Sequence, residues 1–233
     1  MKAYRGRLER HASAPDPIKH FLRWYDEART GKAGLYPKSR LISWGIQVIR
    51  RLLAAVLPWS NLFRPDIATL ATITLDNRPA ARSVLFKGFV DGGFSFYTDY
   101  ESDKGKELDA NPSAVLVFYW HFPPRQVRID GRVVKLPRKA AEADWRARRR
   151  ANQAASAAAP QSSVIDKRQD LIAKVYQIKR RYKGQPIPCP DAWGGYRLIP
   201  DKMEFWEGRL DWLHLRERYL FNNGTWQRVL LAP

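Results

Sequence analysis

The chain has 233 residues, 45% hydrophobic and 12% aromatic, enough apolar material for one good core, or one core with a small appendage. Its 41 Lys and Arg against 23 Asp and Glu leave a net charge of +18, so the surface attracts phosphates, nucleic acid or anionic lipid. The single cysteine, Cys189 between Pro188 and Pro190, excludes an internal disulfide and a cysteine-rich metal site, and no metal is expected. The start, Met1-Lys2-Ala3-Tyr4-Arg5, has no apolar stretch of the signal-peptide kind, so a reducing, cytoplasmic setting is expected. The densest basic runs, Arg146-Ala147-Arg148-Arg149-Arg150 and Lys179-Arg180-Arg181-Tyr182-Lys183, fall on predicted helices; no nucleic-acid-binding module accompanies them.

In chain order, the first element is a short helix after Ala14-Pro15-Asp16-Pro17. Asp16 caps it, Pro17 takes the first helical position, and Ile18, Phe21, Leu22 and Trp24 or Tyr25 form its apolar face. Residues 41–57 form an apolar helix whose polar side carries Ser43, Gln47, Arg50 and Arg51. Two arginines argue against a membrane span. Packing on the domain or a partner is the leading reading, and a peripheral membrane contact the alternative. From Ile67 the period becomes that of strands: 68–75, a turn at Asp76-Asn77-Arg78-Pro79, 80–90, a turn at Asp91-Gly92-Gly93, and 94–98. A short helix follows Ser102. Strands at 113–120 and 126–136 continue the set, with Asp130-Gly131 read as a bulge or kink. Two helices come next, 137–158 and 163–183, the second opened by a Ser163 and Asp166 capping box. The tail returns to strands at 195–199, 203–206, 213–221 and 225–231, with Asn222-Asn223-Gly224 as a hairpin turn. Strands at both ends with helices between them predict a mainly β single domain with flanking helices, an antiparallel barrel closed by its C-terminal segment.

Arg82 and Lys87 occupy what otherwise reads as a core strand. Inward cations there call for anionic partners, and a bound phosphate would serve. Lys104, just after Ser102 at a helix start, has free amides and the helix dipole beside it, which favour an anion.

Six ordered blocks carry a resemblance: Arg82-Ser83-Val84-Leu85-Phe86-Lys87, Phe96-Tyr97-Thr98, Arg125-Gln126-Val127, Gln161-Ser162-Ser163, Trp193-Gly194-Gly195-Tyr196-Arg197 and Glu204-Phe205-Trp206. With them the chain resembles the pyridoxamine 5'-phosphate oxidase family, flavoproteins with an FMN-binding split β-barrel. Residues 30–64 are mostly an insertion relative to that pattern.

The resemblance implies a homodimer with FMN at its interface. Arg82 and Lys104 would hold the FMN phosphate, within a cofactor set that includes Ser83, Val84, Leu85, Lys87, Tyr97 and Thr98, and Gln161 and Ser162 would reach it from the other subunit. Gln126, Trp206 and Arg216 would surround the flavin ring, where an amide bonds its polar edge, an indole covers its apolar part and a guanidinium stabilises charge near N1. Lys87, Arg148, Asn152 and His214 would bind a small phosphorylated substrate, with His214 and Trp212 nearest the chemistry.

The chain departs from the pattern on the substrate side. The family's Tyr-Arg-Ser set reads Asp144, Arg148 and Asn152 when counted back from Gln161, and a shift of one residue would put Trp145 in place of Asp144. Asp144 would repel a phosphate unless turned away. The family's Arg-Leu-His-Asp-Arg becomes Trp212-Leu213-His214-Leu215-Arg216, so Trp212 keeps a stacking surface and loses a charge. Asp103 replaces an arginine beside the FMN phosphate, and 154–159 is Ala-rich. The implied function is oxidation of pyridoxamine or pyridoxine 5'-phosphate to pyridoxal 5'-phosphate, by hydride transfer from C4' to the flavin with oxygen as final acceptor. The alternatives are an FMN enzyme acting on another substrate and a non-catalytic FMN or pyridoxal phosphate binding protein.

Overall fold

A computed structural model describes residues 16–30, 64–121 and 123–233; the helix expected at 41–57, with its membrane alternative, lies outside them. Five described helices are α1 Pro17–Thr30, α2 Asp103–Ala110, α3 Arg138–Ala147, α4 Arg150–Ala158 and α5 Arg168–Arg181. Nine described strands are β1 Ile67–Ile73, β2 Pro79–Leu85, β3 Gly88–Val90, β4 Gly93–Asp99, β5 Ser113–His121, β6 Pro124–Lys135, β7 Trp193–Glu207, β8 Leu215–Asn222 and β9 Thr225–Leu231. They are hydrogen-bonded in the order β2-β1-β5-β6-β7-β4-β3, with β8 added to β7 and β9 to β8. The chain divides into two compact units: Met1–Thr69, Val115–Asp130 and Pro200–Pro233 form the first, Leu70–Ala114 and Gly131–Ile199 the second.

In the first unit, α1 starts where Asp16 Oδ1 accepts the Ile18 amide at 2.9 Å, which satisfies one free N–H of the opening turn. Its buried face is Pro17, His20, Phe21 and Trp24, while Leu22, expected in the apolar face, is exposed. Phe21 packs edge-on against Phe118 at 4.8 Å, and His20 stacks on Phe205 at 4.1 Å. Alternation places Leu116, Phe118 and Trp120 of β5, and Val127 and Ile129 of β6, in the core. At the β8–β9 hairpin Asn223 and Gly224 both have positive φ, as the expected Asn-Gly turn requires.

In the second unit, Leu70, Phe94, Phe96, Leu108, Tyr196 and Leu198 are buried. A separate apolar cluster joins Ala141, Trp145, Ala154, Ile187 and Trp193. The strand expected at 80–90 is two strands, β2 ending at Leu85 and β3 opening on Gly88, whose φ of +127° is a conformation that side chains disfavour. The helix expected at 137–158 is also two. Arg148 is extended (φ −70°, ψ 145°), and its guanidinium stacks on Trp193 at 4.3 Å, so the first basic run straddles a helix break. The helix expected from Ser163 begins at Arg168 with Lys167 as cap, since Val164 and Ile165 are exposed while Val175 and Ile178 pack on the apolar cluster. β6 runs unbroken through Gly131, where a Cβ would lie 2.0 Å from the Ile199 carbonyl oxygen; the glycine serves close approach rather than a bulge.

The two strands expected at 195–199 and 203–206 are one, β7. Its β4 ladder ends at Leu198 and its β8 ladder begins at Lys202, so Pro200 falls where neither needs an N–H.

Candidate functional site

In the second unit, β2 alternation directs Arg82 and Val84 to one face and leaves Ser83 and Leu85 exposed on the other. Arg82 meets the anionic partner that its position demands within the chain. Its Nη2 lies 2.8 Å from Glu107 Oε2 on α2, which also accepts the Thr72 hydroxyl at 2.6 Å, and Arg82 Nη1 donates to that hydroxyl. Lys104 is buried on the first turn of α2. Its Nζ donates to Thr98 Oγ1 at 3.2 Å and Ser102 Oγ at 3.1 Å, and among the described residues no carboxylate lies within ion-pair distance. Burial, then the charge of Arg82, holds its ammonium below the ordinary lysine value. Gln161 Oε1 accepts the Thr98 hydroxyl at 2.8 Å and the Asp99 amide at 3.3 Å within the same chain. Ser162 follows in a left-handed conformation, φ +72°.

Two adjacent cations, one held only by neutral hydroxyls, form a donor set suited to a phosphate group.

Lys87, Asp144 and Arg148 come together as a second group in this unit. Asp144, on α3, has Oδ1 at 3.5 Å from Lys87 Nζ and Oδ2 at 3.9 Å from Arg148 Nη1. Asp144 and not Trp145 faces these cations; Trp145 is 1% exposed, and its indole N–H donates to the Ile187 carbonyl at 2.8 Å. Burial pulls the Arg148 guanidinium below its ordinary value against the opposing charge of Asp144. Tyr97, half-buried on β4, is pushed up by burial and by Asp144. Asn152 is exposed and does not join the group; the hydroxyl beside Arg148 is Ser156 Oγ on α4, 3.2 Å from Nη2. Ser156 lies on α4, beyond the break that follows α3, whereas Asn152 is expected only from counting back from Gln161.

In the first unit, a cleft of about 340 Å³ is lined by Pro124, Trp206, Arg209, Leu210, Trp212 and His214. The loop before β8 shapes it: Gly208 N–H donates to the Pro124 carbonyl at 2.9 Å and Trp212 N–H to the Arg209 carbonyl at 3.2 Å. Trp212 adopts φ +61° and is 78% exposed. His214 lies between two indoles, 5.0 Å from Trp206 and 5.9 Å from Trp212. Its Nδ1 accepts the Arg209 amide at 3.1 Å, so a neutral imidazole carries its proton on Nε2. Arg209 is itself fixed by Glu207, at 3.2 Å, whose other oxygen takes Arg125 Nε at 3.0 Å.

Trp206 and Arg216 are register partners across β7 and β8. Arg216 spends Nε and Nη2 on Glu204 Oε1, at 3.2 and 2.7 Å, and Arg218 grips the other oxygen at 2.9 Å. Burial alone would raise the Glu204 carboxyl; the hydrogen bonds from Arg216 and Arg218 and the charge of Arg128 outweigh it and hold it below the usual range. Gln126, half-buried on β6, shares a strand face with Pro124 and Arg128. Among the described residues no helix is long and apolar enough to cross a membrane.

Residues 56–181 match the family model of pyridoxamine 5'-phosphate oxidase, and residues 193–233 that of the pyridoxine 5'-phosphate oxidase C-terminal dimerisation region. A pyridoxine/pyridoxamine 5'-phosphate oxidase of Rubrobacter xylanophilus is 37% identical over 229 residues, 98% of this chain and 92% of the relative. The pyridoxine-5'-phosphate oxidase of Bos taurus is 38% identical over 227 residues, covering 96% of this chain and 76% of the relative. The crystal structure of PhzG from Burkholderia lata, in complex with tetrahydrophenazine-1-carboxylic acid, matches with a TM-score of 0.77 at 28% identity, over 95% of this chain and 94% of that one. With its strands, its flanking helices and both matched regions in order, the chain belongs to the pyridoxamine 5'-phosphate oxidase family and has that family's antiparallel split-barrel fold.

Proposed function

We propose that this protein is an FMN-dependent oxidase that converts pyridoxamine or pyridoxine 5'-phosphate to pyridoxal 5'-phosphate, working as a homodimer. Lys104 carries the reading: a buried ammonium beside Arg82, held only by the Thr98 and Ser102 hydroxyls, leaves its charge available to a phosphate. The match to a dimerisation region over 193–233 supports the homodimer.

FMN, when bound, supplies the acceptor for the two electrons that leave the substrate's C4' carbon and pass on to oxygen. The chain's own residues bind and orient. Arg82, Lys104 and Thr98 would hold the cofactor phosphate, with Gln161 and Ser162 joining from the other subunit. Gln126 and Trp206 would flank the ring, and Arg216, held by Glu204, would offer it positive charge. Lys87 and Arg148 bind the substrate, and His214 donates from Nε2 with its ring held by the Arg209 amide.

A second reading keeps FMN and changes the substrate; Asp144 between Lys87 and Arg148, and Trp212 at the cleft, favour it. An absorbance spectrum of the purified protein, followed by anaerobic addition of pyridoxamine 5'-phosphate, tests both. Bleaching of a flavin band is the expected result. A yellow protein that does not bleach leaves the second reading, and a colourless protein that cannot be reconstituted with FMN overturns both.

A further inference from the structure

We propose that Asp144 sets how strongly this enzyme prefers phosphorylated over unphosphorylated substrates, an inference that rests on the oxidase reading and on Lys87 and Arg148 as its substrate cations. The carboxylate lies inside the cation pair, 3.5 Å from Lys87 Nζ and 3.9 Å from Arg148 Nη1, and its side chain is only 9% exposed. The groups around it come from separate elements: Lys87 from the β2–β3 connection, Arg148 from the end of α3, Tyr97 from β4, with Ser156 of α4 and Trp193 of β7 holding Arg148. None of these adds a second negative charge, so the pair presents one net positive charge instead of two.

The hydrogen-bonding capacity of the group is also unfinished. Asp144 Oδ2 and Arg148 Nε are buried without a hydrogen-bond partner among the described residues, although each belongs to a charged group. A phosphate reaching both cations meets the carboxylate at close range, and like charges at that distance repel strongly in a partly desolvated site. The carboxylate therefore offsets part of what the two cations offer a phosphate, and leaves the binding of a substrate without one nearly untouched. Asp144 acts as a specificity-determining residue through charge, and the step at C4' does not involve it.

The test is steady-state kinetics of the FMN-loaded protein with pyridoxamine 5'-phosphate and with pyridoxamine, for the wild type and for Asp144→Asn. The substitution is expected to lower KM for the phosphorylated amine at least tenfold. It is expected to leave kcat, and KM for pyridoxamine, within about twofold. Asp144→Glu, which keeps the charge, is expected to behave as the wild type. Oxidation with an unchanged ratio of the two KM values overturns the role of Asp144 alone. Should Asp144→Asn not fold, the wild type decides: a preference in KM below about a hundredfold is expected, and a larger one overturns the proposal. Flavin-loaded protein that oxidises neither amine overturns the functional reading and this inference with it.

Discussion

Lys104 Nζ lies 3.2 Å from the hydroxyl of Thr98, and the other oxygen that it reaches, Ser102 Oγ, is equally neutral. A buried ammonium so placed costs stability until an anion meets it. Lys104→Met is therefore expected to raise the urea midpoint of FMN-free protein while weakening FMN binding at least tenfold. Urea titrations followed by tryptophan fluorescence, and FMN titrations, measure the two; a fall in both would mean that the lysine is held by the fold and not kept for a ligand.

With the proposed role in FMN binding, the same lysine is expected to give that binding a pH dependence. Its value in the folded protein lies below that of the unfolded chain, so FMN-free protein binds fewer protons when folded and gains stability as pH rises from the depressed value towards the ordinary one. Anion binding favours the charged form and runs the other way: affinity for FMN is expected to fall as pH rises through the depressed value. Dissociation constants from pH 7 to 10 measure it, and a flat profile would exclude Lys104 as the titrating group.

Glu204 is 5% exposed and receives Arg128, Arg216 and Arg218. Glu204→Gln leaves Arg216 and Arg218 short of their carboxylate, while Arg128 keeps Asp130 at 3.2 Å, and is expected to cost about 3 kcal/mol in urea unfolding. Because the folded-state value of Glu204 is depressed, its contribution is complete at neutral pH and is lost as pH falls through that value. Glu217, pushed up by burial, works in the opposite direction: its cost at neutral pH is relieved as pH falls.

The resemblance puts Trp212 where the family motif has an arginine. Its exposure, 78%, means that a longer polar side chain fits without disturbing the core. Trp212→Arg is expected to raise kcat/KM for pyridoxamine 5'-phosphate several-fold. No increase in FMN-loaded protein would mean that the cleft serves a different substrate.

Local signals in the sequence were enough for some of the elements, while 80–90, 137–158 and 195–206 were divided differently by the structure. Asp16 and Pro17 opened a helix, Asn223-Gly224 turned a hairpin, and apolar alternation set the faces of β5 and β6, because capping, turn conformation and pleat depend on neighbours in the chain. The ordered blocks from Arg82 to Trp206 were likewise enough to place the chain in its family. The tertiary structure alone decided which charges meet. Arg82 finds Glu107 across 25 residues, and Thr98 finds Gln161 across 63. Asp144 rather than Trp145 turns to Lys87, and Ser156 replaces Asn152 beside Arg148 once the helix breaks between them. Such pairings follow from strand register and from where one helix stops. A shift of one residue in either would exchange a buried indole for a carboxylate, and local propensity carries almost no information about that shift.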